Sequence, residues 1–404
     1  MTHVLQTQVG IAGGGPAGLV HALLLARAGI RVVVLEKHND FLRDFRGDTV
    51  HPTTLRVMDE LGLIDEFLQL PHTKINHIAF DSDGSPQART FGNFAALKWL
   101  GFKQPYIALM PQWDFLDFLA EKATAYPEFT LIRNAEVKGL IIEGDRVVGM
   151  RTPELEVHAE VVIAADGRTS AVRAAAGLEI ARAHPPMDVL WFRLKWLPGD
   201  PRELFAVIRK GFMMAMIYRG DYWQVAYLVP KGTNPRDGSL EELKKRLVSV
   251  RPQLRAHVDD LRSWDDTSHL DVRVDRLKRW WRPGLLCIGD AAHAMSPIGG
   301  VGINLAVADA VAAANILFAP LREGRLTNAD LAKVQRRREL PARITQAGQV
   351  LAQSRVIEPY LTGDLSPIRI PKIIGWGPLQ FIPPIVVGRG FRPEHVRTPD
   401  VHAA

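Results

Sequence analysis

The hydrophobic positions change period several times along the chain. A short apolar run, Gln8 to Ala12, ends in glycines; a helical pattern follows from Pro16 to Ala28, and a second apolar run, Arg31 to Leu35, closes on Glu36. Apolar residues recurring every three or four positions suit a helix, and short apolar runs bounded by turn residues suit strands. The N-terminus therefore reads as strand, turn, helix, strand. Asp48 to Leu61 predicts a helix entered through Pro52, with Leu55, Met58 and Leu61 at helical spacing. Ile75 to Phe91 alternates about Asp83-Gly84, the mark of a β-hairpin. Tyr106 to Met110 predicts a strand and Trp113 to Thr124 a helix. Short strands follow over Thr130 to Arg133, Ala135 to Ile142, Arg146 to Thr152 and Val161 to Ala165. Asp166-Gly167-Arg168-Thr169-Ser170 then starts a helix.

From Val189 to Val229 the pattern becomes strand-rich and aromatic, with Trp191, Phe192, Trp196, Phe205, Phe212, Tyr218, Tyr222, Trp223 and Tyr227. Arg219-Gly220-Asp221 reads as a hairpin turn. This stretch predicts a separate antiparallel sheet. Leu240 to Val250 is an amphipathic helix, and Leu285 to Ile288 returns to buried-strand character. Two long helical patterns, Val301 to Leu317 and Asn328 to about Val356, come after it. No internal repeat is visible. The fold class is α/β, with a second sheet inserted.

Composition narrows the picture. At 404 residues, 47% hydrophobic and 23% charged, the chain can build two or three domains around a large core. The net charge of +6 is mostly scattered. Its densest cluster, Lys333 to Arg343, lies on a helical pattern without interleaved aromatics, so a solvated helix face is expected there and no nucleic-acid site. The surplus suits anionic ligands such as a nicotinamide cofactor or an acidic substrate. The single cysteine, Cys287, sits in an apolar run and reads as a packing residue. An intrachain disulfide, a redox-active cysteine pair and a thiolate metal site are excluded, and no metal site is expected. No signal peptide pattern opens the sequence. The apolar stretch from Val301 to Phe318 is interrupted by Asn304, Asp309 and Asn315, so it is not expected to span a bilayer. A cytoplasmic location is the default expectation, and a homodimer is left open.

Three separated motifs carry the chemistry. In the first, Gly13, Gly15 and Gly18 stand in G-x-G-x-x-G register between strand and helix. Such glycines allow a tight turn, close backbone approach to a pyrophosphate, and close helix–strand packing. The helix start, Pro16-Ala17-Gly18, offers N–H groups and partial positive charge to phosphates. Glu36 ends the second strand, where a carboxylate accepts from ribose hydroxyls. The second motif is Asp166-Gly167 after the buried strand. The third is Cys287-Ile288-Gly289-Asp290-Ala291-Ala292-His293, followed by Pro297 and Gly299-Gly300-Val301-Gly302-Ile303-Asn304. Asp290 alone fits two readings, an N-cap for the following helix or a ligand contact at the end of a buried strand.

Together and in this order the motifs resemble the flavin-dependent aromatic hydroxylases, the single-component monooxygenases related to para-hydroxybenzoate hydroxylase. The resemblance covers about the first 320 residues. It implies a Rossmann-like FAD-binding domain over 1–74, 105–182 and 270–350. An inserted β-sheet domain for the substrate would occupy 75–104 and 183–269, and 351–404 would be a tail packing on the body. It implies FAD contacts at Gly13, Gly15, Pro16, Ala17, Gly18, Glu36, Lys37, Arg46, Gln112, Val137, Asp166, Gly289, Asp290, Gly300, Gly302, Ile303 and Asn304. Many relatives carry arginine where Gln112 stands. Pro297 would line the face where oxygen reacts, the helix opened by the segment Gly299 to Asn304 would stabilise charge on the reduced ring, and His51, Pro297 and Gly299 are the catalytic candidates. Arg168 is a phosphate-contact candidate; alone, it reads more readily as a surface arginine making no contact. His51 and Asp48 either line the substrate pocket or serve as a core histidine and a helix start. His293 orders its loop.

The resemblance further implies a reaction. NAD(P)H would reduce FAD, and O2 would form a flavin C4a-hydroperoxide that hydroxylates an aromatic, polycyclic or quinone-like small molecule. No second G-x-G-x-x-G opens another strand–helix unit, so the nicotinamide is expected to bind in a groove. The W-x-W-x-I-P pattern of flavin halogenases is absent. Candidate substrate-lining residues are Trp191 and Arg193, which share one sheet face, and Met214, Met216 and Tyr227. Two alternatives stand beside this reading. One is a reductase or a quinone-biosynthesis oxidoreductase of the same fold, with Ile370 to Val387 as a lid or membrane-surface contact. The other is a flavin-binding sensor or carrier without turnover.

Overall fold

The computed structural model describes residues 3–42, 49–81, 89–202, 204–363 and 382–403. β1 (His3–Ala12) passes through the glycine turn into α1 (Pro16–Arg27), and β2 (Val32–Leu35) returns parallel to β1 with Val9 opposite Val32. Pro16 sits in the first turn of α1, where its missing N–H costs nothing. α1 is apolar on nearly every side and buried, lying between the sheet and two later helices. Asp48 lies outside the described residues. The helix expected there, α2 (Pro52–Glu60), begins at Pro52, because Thr49–Val50 is drawn into a small sheet against Ile107–Leu109.

α3 (Gln112–Thr124) and β3 (Phe129–Ile132) follow, β3 pairing parallel with β2. The strand expected over Ala135 to Ile142 forms only at Gly139–Glu143; before it the chain loops back so that the Ala135 N–H donates to the Glu36 carbonyl at 2.8 Å. β4 (Leu155–Ala164) is longer than its apolar run, as is β1, because their first halves pair with each other from His3 opposite Leu155 onward. The short helix α4 (Ala171–Ala175) is capped by Ser170, whose hydroxyl accepts from the Arg173 N–H.

The expected antiparallel sheet is present. β5 (Met187–Lys195), β6 (Leu204–Arg209), β7 (Phe212–Tyr218), β8 (Tyr222–Pro230) and β9 (Thr267–Leu270) join in the order β9-β5-β8-β7-β6. The strands His77–Asp81 and Arg89–Asn93 complete it; they pair as a hairpin, and the turn expected at Asp83-Gly84 lies outside the described residues. α5 (Leu240–Val250) opens with a capping box, Ser239 with Glu242, and covers one face of this sheet.

β10 (Leu285–Cys287) then returns to the first sheet beside β4. The central order β10-β4-β1-β2-β3 is wholly parallel. α6 (Gly302–Arg322) and α7 (Asn328–Ala352) pack on each other, and α6 packs on α1. Residues Ile298–Arg322 are long and apolar enough to cross a membrane, but 72% of that window is buried inside the protein, as in a core helix. Among the remaining described residues, α8 (Ile382–Arg389) and an extended strap, 390–403, lie on the body. The stretch Ile370 to Trp376 lies outside the described residues.

Candidate functional site

Three corners distant in sequence meet at the mouth of α1. Gly13 has φ +103°, and a Cβ there would lie 2.5 Å from the Ala165 carbonyl oxygen, so the first corner is pressed on the second. A Cβ on Gly18 would fall 2.0 Å from the Gly13 carbonyl oxygen. One on Gly289 would lie 3.0 Å from Ala17 Cβ and 3.4 Å from Ala306 Cβ, pressing the third corner against α1 and α6. Gly15 differs: a Cβ there would meet nothing within 4 Å. The first turn of α1 has no side-chain cap and no acidic residue, so its polarity is unopposed at that open space.

Hydrogen bonds tie the corners together. Glu36, buried at the end of β2, accepts from the Gly14 N–H at 2.9 Å and the His38 N–H at 3.0 Å. It thus braces the glycine turn. Asp166 accepts from the Val172 N–H at 3.1 Å and so caps α4, while its other carboxyl oxygen is buried without a partner. Burial raises its pKa above the usual carboxylate value. Arg168 pairs with Asp290 at 3.2 Å, joining the second corner to the third. Arg173 makes a second tie, to Asp275 at 3.3 Å and the Ala291 carbonyl at 3.2 Å.

The third corner rests on a buried acid. Asp309 of α6 is fully buried and accepts from the Gly289 N–H at 3.1 Å. It also meets His293 Nε2 at 2.5 Å and Arg338 Nε at 2.9 Å. Burial works against its charge, but His293 and Arg338 outweigh it and hold the pKa below the ordinary value. The loop after it is held by glutamines of α7 and of the turn that continues it, Gln353–Ile357. Gln346 donates to the Ala294 carbonyl, Gln349 to those of Ser296 and Ile298, and Gln353 to the Ser296 hydroxyl. Val301 caps α6 without a side-chain bond, and no acidic residue lies in the first turn.

Comparison with known proteins agrees with this geometry. A family model described as an FAD binding domain matches residues 6–347. The chain belongs to the FAD-dependent aromatic monooxygenases. It is 34% identical over 378 residues to 6-methylpretetramide 4-monooxygenase of Streptomyces rimosus, covering 91% of this chain and 87% of that one. Its fold matches OxyS anhydrotetracycline hydroxylase from Streptomyces rimosus with TM-score 0.74 at 23% identity, covering 95% of this chain and 76% of that one. It also matches PqsL, a probable FAD-dependent monooxygenase from Pseudomonas aeruginosa, with TM-score 0.72 at 23% identity, covering 89% and 98% respectively. The α/β fold with added antiparallel sheets is that of this monooxygenase family.

Within this monooxygenase fold the remaining expected residues fall in different places. Gln112 opens α3, Lys37 is exposed beyond Glu36, and Val137 is buried in the loop that returns to Glu36. Arg46 lies outside the described residues. The Asn304 side chain turns to α2, where its carbonyl accepts from the hydroxyls of Thr53 and Thr54. His51 is fully buried, its ring nitrogens 3.0 Å from the Gly300 carbonyl and 3.1 Å from the Val387 carbonyl. Burial pushes its pKa down to about 4. Thr49 donates to the same Gly300 carbonyl at 2.7 Å. Pro297 and Gly299 lie in the loop before α6.

The two faces of the second sheet divide the substrate candidates. Met214, Met216 and Tyr227 pack with Phe192, Phe205 and Trp223 beneath α5. On the opposite face Ile298 of the third corner packs on the cluster of Met187, Ile208, Met213, Ile357 and Leu361, as Leu228 does. Trp191 is on that second face, and Arg193 is exposed beyond it, its guanidinium 4.6 Å from the Tyr222 ring centre. The structure therefore does not bring Met214, Met216 or Tyr227 together with Trp191. Most aromatic residues that mark this sheet in the sequence are core under α5. Across the second face Ala206, Ala215, Ala226 and Trp191 stand in register on adjacent strands.

Sequence reasoning missed Arg173, Arg338 and the α7 glutamines as parts of the site. A signal existed for the glutamines: Gln346, Gln349 and Gln353 recur at helical spacing on one face of an otherwise charged helix.

Proposed function

We propose that this protein is an FAD-dependent monooxygenase that uses NAD(P)H and O2 to place one oxygen atom on a flat, polycyclic aromatic molecule. The convergence of the three corners on the open mouth of α1 carries the reading. The pyrophosphate would lie at Gly13, Gly15 and the N-terminus of α1, from Pro16 to Gly18. Glu36, at the end of β2, would accept from a ribose hydroxyl. Lys37 and the Val137 backbone would flank the adenosine end, and Gln112 the middle of the cofactor; the resemblance adds Arg46, which lies outside the described residues. Asp166 and Asp290 stand at the junction, Asp290 free to exchange Arg168 for a sugar hydroxyl. The uncapped start of α6, Gly300 to Asn304, would face the flavin ring and stabilise negative charge there. Pro297 and Gly299 border the reacting face. Bound FAD supplies the electron transfer and oxygen chemistry; the protein supplies position, electrostatics and exclusion of water.

The domain division follows the same reading: 1–74, 105–182 and 270–350 hold FAD, 75–104 and 183–269 hold substrate, and 351–404 packs on the body. The substrate would lie between the α6 loop and the second sheet face, over Ala215, Ala226 and Trp191. The small side chains of Ala215 and Ala226 would leave room for a planar ring system beside Trp191. The names of the relatives point to related substrates, 6-methylpretetramide and anhydrotetracycline.

The test is direct. Purified protein mixed with FAD should retain it and show a bound-flavin spectrum. NAD(P)H oxidation should then rise with an aromatic substrate, and the product should gain the mass of one oxygen. A product that gains two hydrogens indicates a reductase. A protein that retains no FAD defeats the proposal.

A further inference from the structure

The C-terminal strap reaches the third corner by two routes. The first runs through buried charge. Glu394 accepts from Arg337 at 2.7 Å and from Arg338 at 3.2 Å, and Arg338 also donates to the Arg392 carbonyl at 3.1 Å. Arg338 then pairs with Asp309, which holds the Gly289 N–H and His293. Asp309 and Arg338 are almost fully buried, and Glu394 is 9% exposed. The second route runs through His51, whose ring is enclosed between the Val387 carbonyl of α8 and the Gly300 carbonyl, its single N–H donating to one of them. One end of each route is a residue of the strap or the helix before it; the other is a glycine at which the cofactor corner turns.

The strap is also fixed along its length. Asn315 of α6 donates to the His395 carbonyl and accepts from the Arg397 N–H. Glu60 of α2 meets His395 at 2.5 Å and accepts from the Val396 N–H at 2.8 Å. Farther on, Asp400 pairs with Arg27 of α1 at 3.0 Å. A small crevice beside Asn304 is lined by Thr53, Thr54 and Arg338 and by strap residues 390–394.

We propose that the segment from Val387 to Glu394 is a positioning element for the cofactor, with Glu394 setting Gly289-Asp290 through Arg338 and Asp309. The proposal rests on the FAD reading above. A buried carboxylate between two arginines fixes both of their orientations. Without its charge, Arg338 keeps Asp309 and the Arg392 carbonyl as partners but loses the carboxylate that draws its Nη1 away from Asp309 and fixes its plane. Asp309 would then hold the Gly289 N–H less rigidly, and the corner would close less well on the ligand. The effect is on cofactor affinity more than on folding, because Arg338 remains paired.

The experiment titrates FAD into apoprotein by flavin fluorescence for the parent, E394Q, E394D and D400N, with apoprotein melting measured alongside. Glu394→Gln should raise the FAD dissociation constant by about tenfold. Glu394→Asp keeps the charge and should recover most of the affinity. Asp400→Asn loosens the strap at its far anchor, away from the corner, and should leave FAD affinity within about twofold of the parent. A Glu394→Gln affinity equal to that of the parent overturns the proposal. So does an affinity loss that appears equally in D400N, or one that follows apoprotein melting in all three variants, since a general stabilising role would give that result. If the parent itself binds no FAD, the functional reading has failed, and this proposal with it.

Discussion

Gly289 stands directly against Ala17: a Cβ on the glycine would lie 3.0 Å from that of the alanine. The corner that carries Asp290 is therefore seated on the first turn of α1. Nothing larger than a hydrogen fits between the two without displacement, so the acid and the helix mouth hold one fixed relation. This separates glycines needed by the fold from glycines needed by a ligand.

Gly15 and Gly18 make that distinction testable. A Cβ on Gly18 would run into the Gly13 carbonyl oxygen, so Gly18→Ala should cost about 3 kcal/mol of stability with no ligand present. Gly15 has open space in front of it and an ordinary extended backbone, φ −78° and ψ −176°. Gly15→Ala should leave the apoprotein melting temperature nearly unchanged while weakening FAD binding by about tenfold. Melting curves with and without FAD check both. Equal affinity in Gly15→Ala and the parent would remove the pyrophosphate from this turn.

Asp309 carries a second prediction. It is fully buried with Arg338 and His293 as partners. Asp309→Asn keeps the shape but leaves Arg338 with less compensation in a dry site. Removing one member of a buried pair costs about 3–5 kcal/mol. Urea denaturation of the apoprotein should show that loss, and a change within experimental scatter would mean the network is weaker than its geometry implies.

Much of this was legible in the sequence because local rules and global fold agree there. The glycine turn, Glu36 and Asp290 stand at strand ends, and a parallel sheet brings strand ends together. The α5 boundaries follow from one capping box and one amphipathic run. Other features depended on partners far along the chain. The first half of β4 alternates, with Leu155, Val157 and Ala159 between Glu156, His158 and Glu160, and that of β1 is mixed; pairing with each other and, for β4, with Arg146–Arg151 extends both strands. His51 gives no sign in sequence that two carbonyls, one from residue 387, would enclose it. Alternation placed Trp191 with Arg193 and Met214 with Met216, but the choice of which face α5 covers is tertiary.

The pH dependence of stability follows from buried histidines. His51 and His21 are both pushed from 6.5 to about 4 by burial. Between those values the unfolded chain binds protons that the folded chain does not, so stability falls as pH drops from 6.5 towards 4. Above 6.5 neither state carries the charge and the effect vanishes; below about 4 both do and it levels off. Each histidine accounts for about 3 kcal/mol across the window. His51→Gln should reduce the proton uptake on unfolding by one in that range. Urea midpoints from pH 7 to pH 4.5 measure it, and an unchanged slope would mean His51 is charged in the folded protein.

The faces of the second sheet allow the substrate position to be tested without naming the substrate. Ala215 and Met214 are adjacent in β7 but point to opposite sides. Met214 is fully buried beneath α5, whereas Ala215 lies in register between Ala206 and Ala226 on the face that meets Ile298. If a planar ring lies over that face, enlarging Ala215 displaces it from the reacting centre, and a misplacement of 1 Å costs about a hundredfold in rate. Ala215→Phe should therefore lower kcat/KM by about that factor while FAD remains bound and NAD(P)H oxidation without substrate is unchanged. Met214→Leu conserves volume and should cost less than about 1.5 kcal/mol of stability, with KM unaltered. The reverse outcome, with KM sensitive to Met214 and indifferent to Ala215, would move the substrate to the α5 side of the sheet. That side is filled by Phe192, Phe205, Trp223 and Tyr227, so such a result would also require α5 to open.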